Sequence, residues 1–258
     1  MVFEGERPGA GGSGFPAALV TPRLDAGDHG IAALHAQALE RAAHLYASIP
    51  DAVTGHGVLQ LPQAPRDAAR FEKIARQPIW NDDDMAVLDE GAASAVAGEA
   101  TGHGGLLMKG AFAVRPAAVL SSWLADAEMR SERVTRLERA DGRWRLIGED
   151  DAVLGEVDAV VLAAGWGSAA LMDGFDQTPR LSPVRGQADW IDGDVTVHPM
   201  AWGGYAVPTG RGVLFGATHD RGDTDATPRE DDSARNLATL EARLPELAKR
   251  IAAAGPVQ

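Results

Sequence analysis

Residues able to do chemistry stand, in this chain, where apolar runs break into glycine. The most informative stretch is Val160-Val161-Leu162-Ala163-Ala164-Gly165-Trp166-Gly167-Ser168, an apolar run that delivers two glycines and a serine into a turn. Glycine lets the backbone approach a ligand closely, so amides at Ala164, Gly165 and Trp166 can be set against a phosphate-bearing nucleotide at a strand end. A tight strand-to-helix turn without a ligand has the same composition, and Trp166 reads equally as a ring beside a flat cofactor or as a core aromatic. A second such loop, Gly9-Ala10-Gly11-Gly12-Ser13-Gly14, follows the short apolar opening Val2-Phe3 and the acidic Glu4. Consecutive small residues bring amides against an anion. A carboxylate at the end of the second strand of a Rossmann unit accepts hydrogen bonds from a ribose. A bare surface turn and a plain surface carboxylate are the alternatives.

The cations and hydroxyls that a substrate would need come later. Arg185, in Arg185-Gly186-Gln187, offers a guanidinium fork to a carboxylate or a phosphate, with a surface ion pair as the competing reading. Tyr205, with Trp202, His198 and Arg211 around it, belongs to a block of strands expected over the reacting centre. Arg185, Tyr205 and Arg211 are therefore the catalytic candidates. No metal site is expected, because the seven histidines are scattered, the chain has no cysteine, and neither HxxxH nor HExxH occurs. No GxSxG elbow, P-loop or GxGxxG is present either.

The elements that must position these residues follow from periodicity. A length of 258 residues and an apolar content of 45% suit a soluble globular chain with a sizeable core. No apolar run reaches the roughly 18 residues of a membrane span, and no signal segment opens the chain; a cytoplasmic location is expected. The net charge of -13 argues against a surface that attracts phosphate backbones everywhere, while leaving room for a local basic patch. Apolar spacing predicts a helix over 31–48, a strand over 57–61 and a helix over 66–76, and leaves 85–99 ambiguous with a leaning to helix. A strand is expected at 105–108 and a helix from Pro116 to about 127. A hairpin turns on Asp141-Gly142, and 157–165 has the near-continuous apolar character of a strand covered on both faces. Strands over 184–190 and 195–198, a hairpin around Thr209-Gly210, and a helical 229–254 broken near Pro245 complete the reading. The opening residues look like the interior of an α/β unit, so a truncated piece of a larger protein is expected.

Taken together, these pieces resemble the D-amino-acid oxidase and glycine oxidase superfamily of FAD enzymes. Gly11-Gly12-Ser13-Gly14-Phe15-Pro16-Ala17-Ala18-Leu19-Val20-Thr21-Pro22-Arg23-Leu24-Asp25 is similar to a stretch of the C-terminal FAD-dependent oxidoreductase domain of the bifunctional enzymes that modify the wobble uridine of bacterial tRNA. Residues 161–168, Pro183-Val184-Arg185-Gly186-Gln187 and 205–219 resemble further segments of that domain. The resemblance implies an α/β (mixed α+β) fold: an FAD-binding Rossmann-like domain interleaved with an antiparallel-sheet substrate domain, incomplete at both ends. The FAD-binding part is expected in 1–50 and 111–179, the substrate part in 51–110 and 180–228, and a helical segment in 229–258. FAD is the implied cofactor, bound by Glu4, Gly11, Gly12, Ser13, Ala17, Ala18, Leu19, Ala164, Gly165 and Trp166.

The implied reaction is oxidation of the carboxymethylaminomethyl group of the wobble uridine in tRNA to aminomethyluridine, with release of glyoxylate. A methyltransferase domain is the implied partner within the intact protein. The alternatives are an oxidase or dehydrogenase of a small free amino acid such as glycine, sarcosine or a D-amino acid, and an inactive fragment without cofactor. The chain departs from the family pattern in lacking the opening GxGxxG strand and the closing flavin-contacting segment. Phe15 stands where the family usually has Asn, and Gly12 where it often has Ala.

Overall fold

The computed structural model describes residues 1–81, 84–175 and 179–258. Residues 82, 83 and 176–178, which fall in the expected 51–110 and 111–179 segments, lie outside the described residues. The chain packs as two units, one of residues 1–14, 120–185 and 220–225, the other of residues 15–119, 186–219 and 226–258. These boundaries follow packing, whereas the five segments above follow chemical role.

In chain order the first half carries β1 (Val2–Phe3), β2 (Ala18–Val20), α1 (His29–Ala47), β3 (Val53–Gln60), α2 (Asp67–Ala75), β4 (Met85–Leu88), α3 (Glu90–Ala97), β5 (Gly105–Val114) and α4 (Pro116–Leu124). Next come β6 (Met129–Arg130), β7 (Arg136–Ala140), β8 (Arg143–Ile147), β9 (Val153–Val157), α5 (Ser168–Leu171) and β10 (Val184–Arg185). The remainder is β11 (Ala188–Asp192), β12 (Met200–Ala201), β13 (Tyr205–Pro208), β14 (Gly212–Gly216), β15 (Asp220–Arg221), α6 (Glu230–Arg243) and α7 (Pro245–Ala254).

The larger unit is built on an eight-stranded sheet of order β11-β14-β13-β12-β3-β5-β2, with β4 also paired to β5. All its ladders are antiparallel except β12 on β3. Strand alternation sends Ile191, Ala206, Val213 and Phe215 to one face, where they pack with Leu240 and Leu247 of α6 and α7. Those helices are separate because Pro245 cannot continue α6 and instead opens α7 at its first turn. Phe71 and Ile74 of α2 pack with Val58, Leu106 and Met108, and Leu19 joins that cluster to a third one around Ala17 and Val207. Helix starts are set by aspartates: the Asp28 carboxylate accepts from the Ile31 amide at 3.0 Å, and that of Asp89 from Ala92 at 2.8 Å.

The smaller unit holds three short sheets. β1 lies parallel to β6, β7-β8-β9 form an antiparallel meander, and β10 pairs antiparallel with β15. The Asp141-Gly142 turn joins β7 to β8 with φ of 50° and 80°, the pair of left-handed residues that a two-residue hairpin demands.

Several expectations are corrected. The apolar run at 157–165 is not a strand: β9 ends at Val157, and among the described residues 158–164 joins no ladder, leaving Val161 91% exposed. A buried parallel strand needs a neighbour on each edge and cover on both faces, and nothing in the described chain supplies them here. The 195–198 segment is likewise irregular, and 184–190 divides into β10 and β11, which pair with different strands. The ambiguous 85–99 region is a strand followed by a helix.

Candidate functional site

At the end of β1 the Glu4 amide donates to the Arg130 carbonyl at 3.0 Å, and the Glu4 carboxylate accepts from the Glu6 amide at 3.1 Å. The chain then turns back on itself: Ala10 N–H bonds Arg7 O, and Gly14 N–H bonds Gly11 O, closing a single 3-10 turn over Gly12–Gly14. The three glycines of this turn are needed for different reasons. A Cβ on Gly14 would lie 2.1 Å from the Gly9 carbonyl oxygen, so internal packing excludes any side chain there. A Cβ on Gly11 or Gly12 would meet nothing within 4 Å. Their small size therefore answers to no neighbour in the fold and fits a group lying against the backbone. Ser13, between them and Gly14, is exposed.

The second turn repeats this pattern in the same unit. Gly165–Gly167 form a 3-10 turn, Gly167 N–H bonds Ala164 O, and the buried Ser168 starts α5. Gly165 has φ +55° and open space at its Cβ position. Ala164 and Gly165 are exposed, and Trp166 is 47% exposed, so Trp166 is no core aromatic. Both turns thus offer uncovered backbone, as a bound dinucleotide requires.

The larger unit gathers other candidates on one sheet face. Ala17, Ala188 and Val207 form a small-residue floor against which Phe15, Leu19, Trp190 and Tyr205 pack, each half-buried. Ala17, Leu19 and Tyr205 are thereby brought together. Ala18, between Ala17 and Leu19 on β2, points to the other side by strand alternation. Phe15, which cannot donate as an Asn would, serves this apolar cluster.

Arg185 and Arg211 are placed differently. Arg185, in the smaller unit, is 8% exposed, and its Nε donates to the Asp225 carbonyl at 2.6 Å. Arg211 sits in the β13–β14 turn and pairs with Asp192 at 3.3 Å. Tyr205 is at the opposite end of that hairpin, in register with Gly216. Four strand residues at about 3.3 Å each separate them, so the two do not meet.

Sequence reasoning passed over Asp189. It is 2% exposed and accepts from Ser233 Oγ at 2.5 Å and Asn236 Nδ2 at 2.6 Å, while Gln187, two residues earlier, bonds Ser233 and both backbone groups of Arg229. The signal was present: polar residues at alternate positions of an apolar strand, and Ser233 and Asn236 three apart on a helix. In the sequence His198 reads only as a neighbour of Tyr205. Its Nε2 is buried with no hydrogen-bond partner among the described residues, and burial lowers its pKa. Among the described residues no group of three or more His, Cys, Asp or Glu can hold a metal ion, and no helix is long and apolar enough to cross a membrane.

Burial first, and then the charge of Asp189, push the Tyr205 phenol above its ordinary value of 10.0. Folding favours the protonated phenol. Its contribution to stability is complete below the unfolded value and is lost as pH rises through the higher folded value. The chain has only two tyrosines, so ultraviolet titration of the wild type against Tyr205→Phe isolates this group. The difference is expected to develop above pH 10 and to move down toward 10 in Asp189→Asn. A difference centred at or below 10 in the wild type contradicts the buried placement.

Comparison with known proteins gives a consistent result. The family described as FAD dependent oxidoreductase matches residues 1–256. The chain is 47% identical over 253 residues to the tRNA 5-methylaminomethyl-2-thiouridine biosynthesis bifunctional protein MnmC of Caulobacter sp. (strain K31), a match covering 98% of this chain and 40% of that protein. It is 33% identical to the protein of the same description from Maricaulis maris over 96% of this chain and 37% of the relative. The chain thus spans about two-fifths of the length of the relatives it matches. Among solved structures it is similar to glycine oxidase from Geobacillus kaustophilus, with a TM-score of 0.75 and 20% identity over 96% of this chain and 72% of the other. At this identity the likeness is one of fold: the mixed α/β architecture of the D-amino-acid oxidase type, a Rossmann-like part interleaved with an antiparallel substrate sheet.

Proposed function

Because the chain belongs to the FAD-dependent oxidoreductase family, we propose that within a longer protein it oxidises the carboxymethylaminomethyl group on the wobble uridine of tRNA to aminomethyluridine, releasing glyoxylate. The observation that carries this reading is the 47% identity over 98% of the chain to a protein described as acting in tRNA 5-methylaminomethyl-2-thiouridine biosynthesis. A tRNA substrate implies a cytoplasmic location, and the bifunctional relatives imply a methyltransferase domain elsewhere in the same polypeptide.

The residues present fit FAD. The amides of Gly11, Gly12 and Ser13 and those of Ala164, Gly165 and Trp166 would take the nucleotide, whose approach the open Cβ positions at Gly11, Gly12 and Gly165 permit. Glu4 would accept from a ribose; Ala17, Ala18 and Leu19, in the larger unit, are the further cofactor candidates that the family resemblance implies. When bound, FAD supplies the two-electron acceptor for a C–H bond next to an amine nitrogen. The half-buried face of Phe15, Leu19, Trp190 and Tyr205 would exclude water from the reacting carbon, with Tyr205 held neutral as a hydrogen-bond donor. A cation must hold the glycyl carboxylate. Arg185 remains the candidate, because Arg211 stands at the far end of the β13–β14 hairpin from Tyr205, where it pairs with Asp192. Loss of two electrons and two protons from the N–CH2 unit leaves an imine, which water cleaves to the primary amine and glyoxylate.

The test is glyoxylate release by the purified, FAD-loaded intact protein from tRNA bearing 5-carboxymethylaminomethyluridine. Release is the expected result; unchanged tRNA with ready oxidation of free glycine or sarcosine would favour the second reading, a small-amine oxidase, which the fold likeness to glycine oxidase supports.

A further inference from the structure

One surface of the larger unit stands out in a chain of net charge -13. Helix α2 and its flanks present Arg66, Arg70, Lys73 and Arg76 to solvent, while Asp67, Phe71 and Ile74 are buried. At 100° per residue Arg66, Arg70 and Lys73 fall within an arc of roughly 60°, centred about 100° round the helix from the buried residues, and span about 10 Å along the axis. The loop before α1 adds a fifth cation. An Arg70 Nη donates to the Leu24 carbonyl, and Gln77 Nε2 bonds the Asp25 carbonyl at 2.9 Å. Arg23 is thereby carried alongside the stripe with 63% of its side chain exposed.

The carboxylates in reach are largely committed. Asp67 accepts from the Gln63 and Ala64 amides and lies 3.9 Å from Arg70, Asp25 accepts from Gly27 and Asp28 and pairs with Arg23 at 3.5 Å, and Glu72 pairs with Arg76 at 2.7 Å. The side chains of Arg66 and Lys73 make no hydrogen bond or ion pair among the described residues. In the β7–β9 meander Arg136, Arg143 and Arg145 are each matched by a carboxylate within 3.0 Å, whereas on α2 and its flanks Arg76 alone is matched that closely among the described residues.

We infer that α2 and the 21–28 loop form a docking face for the phosphate backbone of RNA, a conclusion that rests on the tRNA reading above and assigns it a surface. Guanidinium groups in a row match a chain of regularly spaced phosphates. The exposed residues of α2 other than the cations are Ala68 and Ala69, so the face offers no large apolar anchor of the kind a membrane or a peptide groove uses. Such contacts give affinity and register without reading sequence.

The experiment uses the full chain and a fluorescein-labelled anticodon stem-loop RNA, with affinity measured by anisotropy from about 50 to about 200 mM salt. The triple variant Arg23→Gln, Arg66→Gln, Lys73→Gln is expected to bind at least about tenfold more weakly at the low-salt end and to lose about 2 to 3 units of the log–log salt slope. A control with the same charge change elsewhere, Arg41→Gln, Arg143→Gln, Lys249→Gln, is expected to bind within about twofold of wild type. Should the triple variant fold poorly by circular dichroism, Arg66→Gln and Lys73→Gln singly are each expected to reduce the slope by about 1. Equal binding by wild type and triple variant, or equal loss in triple variant and control, overturns the docking face and leaves the tRNA reading standing. Absence of RNA binding by the wild type overturns both.

Discussion

Replacing Gly12 by leucine is expected to leave the protein folded and to weaken FAD binding by at least about tenfold, or about 1.4 kcal/mol. The argument rests on what surrounds that residue. No atom lies within 4 Å of a Cβ built there, so the new side chain strains nothing in the fold, and stability should stay within about 0.5 kcal/mol of wild type. The open space is where the proposed cofactor meets the backbone, and a leucine would occupy it. Gly14→Ala is the contrasting case two residues on. Its methyl would sit 2.1 Å from the Gly9 carbonyl oxygen, and the turn must open to admit it, at a cost of about 1–3 kcal/mol. Thermal melts and the flavin absorbance of the purified variants separate the two effects. Gly12→Leu with full flavin, or Gly14→Ala with unchanged stability, contradicts this account of the loop.

Phe215→Ala should give the largest loss of stability among single side-chain truncations. Phe215 is 1% exposed, stands opposite Asp189 on one neighbouring strand and Ala206 on the other, and packs in the cluster shared with α6 and α7. Removing a buried ring costs about 3–5 kcal/mol, because the transfer energy is lost and the cavity refills only in part. For a unit of this size the melting temperature should fall by about 6–20 °C. Val161→Ser is the matching control, since a residue 91% exposed should change stability by no more than about 0.5 kcal/mol. A large loss at Val161 would restore the buried strand expected from the sequence.

That contrast marks what could be read from residues alone. α1 and α2 were legible because their apolar spacing and their ends are local properties, and the Asp141-Gly142 hairpin because its two left-handed positions are written in the residue types. The 157–165 run misled for the opposite reason. Composition says that a segment tolerates burial, but a strand exists only where another strand pairs with it.

The candidate site divides in the same way. The glycine turns and Tyr205 were visible as types and spacing. Their surroundings were long-range facts: the meeting of Ala17 and Leu19 with Tyr205, the separation of Arg211 from Tyr205 along a hairpin, and the burial of Asp189 under α6. The basic face of α2 shows an intermediate case. Its i, i+4, i+7 spacing was in the sequence, hidden by an acidic total, and the loop carrying Arg23 joins it only through tertiary hydrogen bonds.

The central claim is that two separate glycine turns of the smaller unit hold one nucleotide through their amides. Hydrogen–deuterium exchange on the intact protein with and without added FAD tests it most directly. Peptides covering residues 9–14 and 163–168 are both expected to slow their exchange on FAD addition, and both to lose that protection in Gly12→Leu. Protection of neither segment, or of one alone, in a protein that demonstrably binds FAD would contradict it.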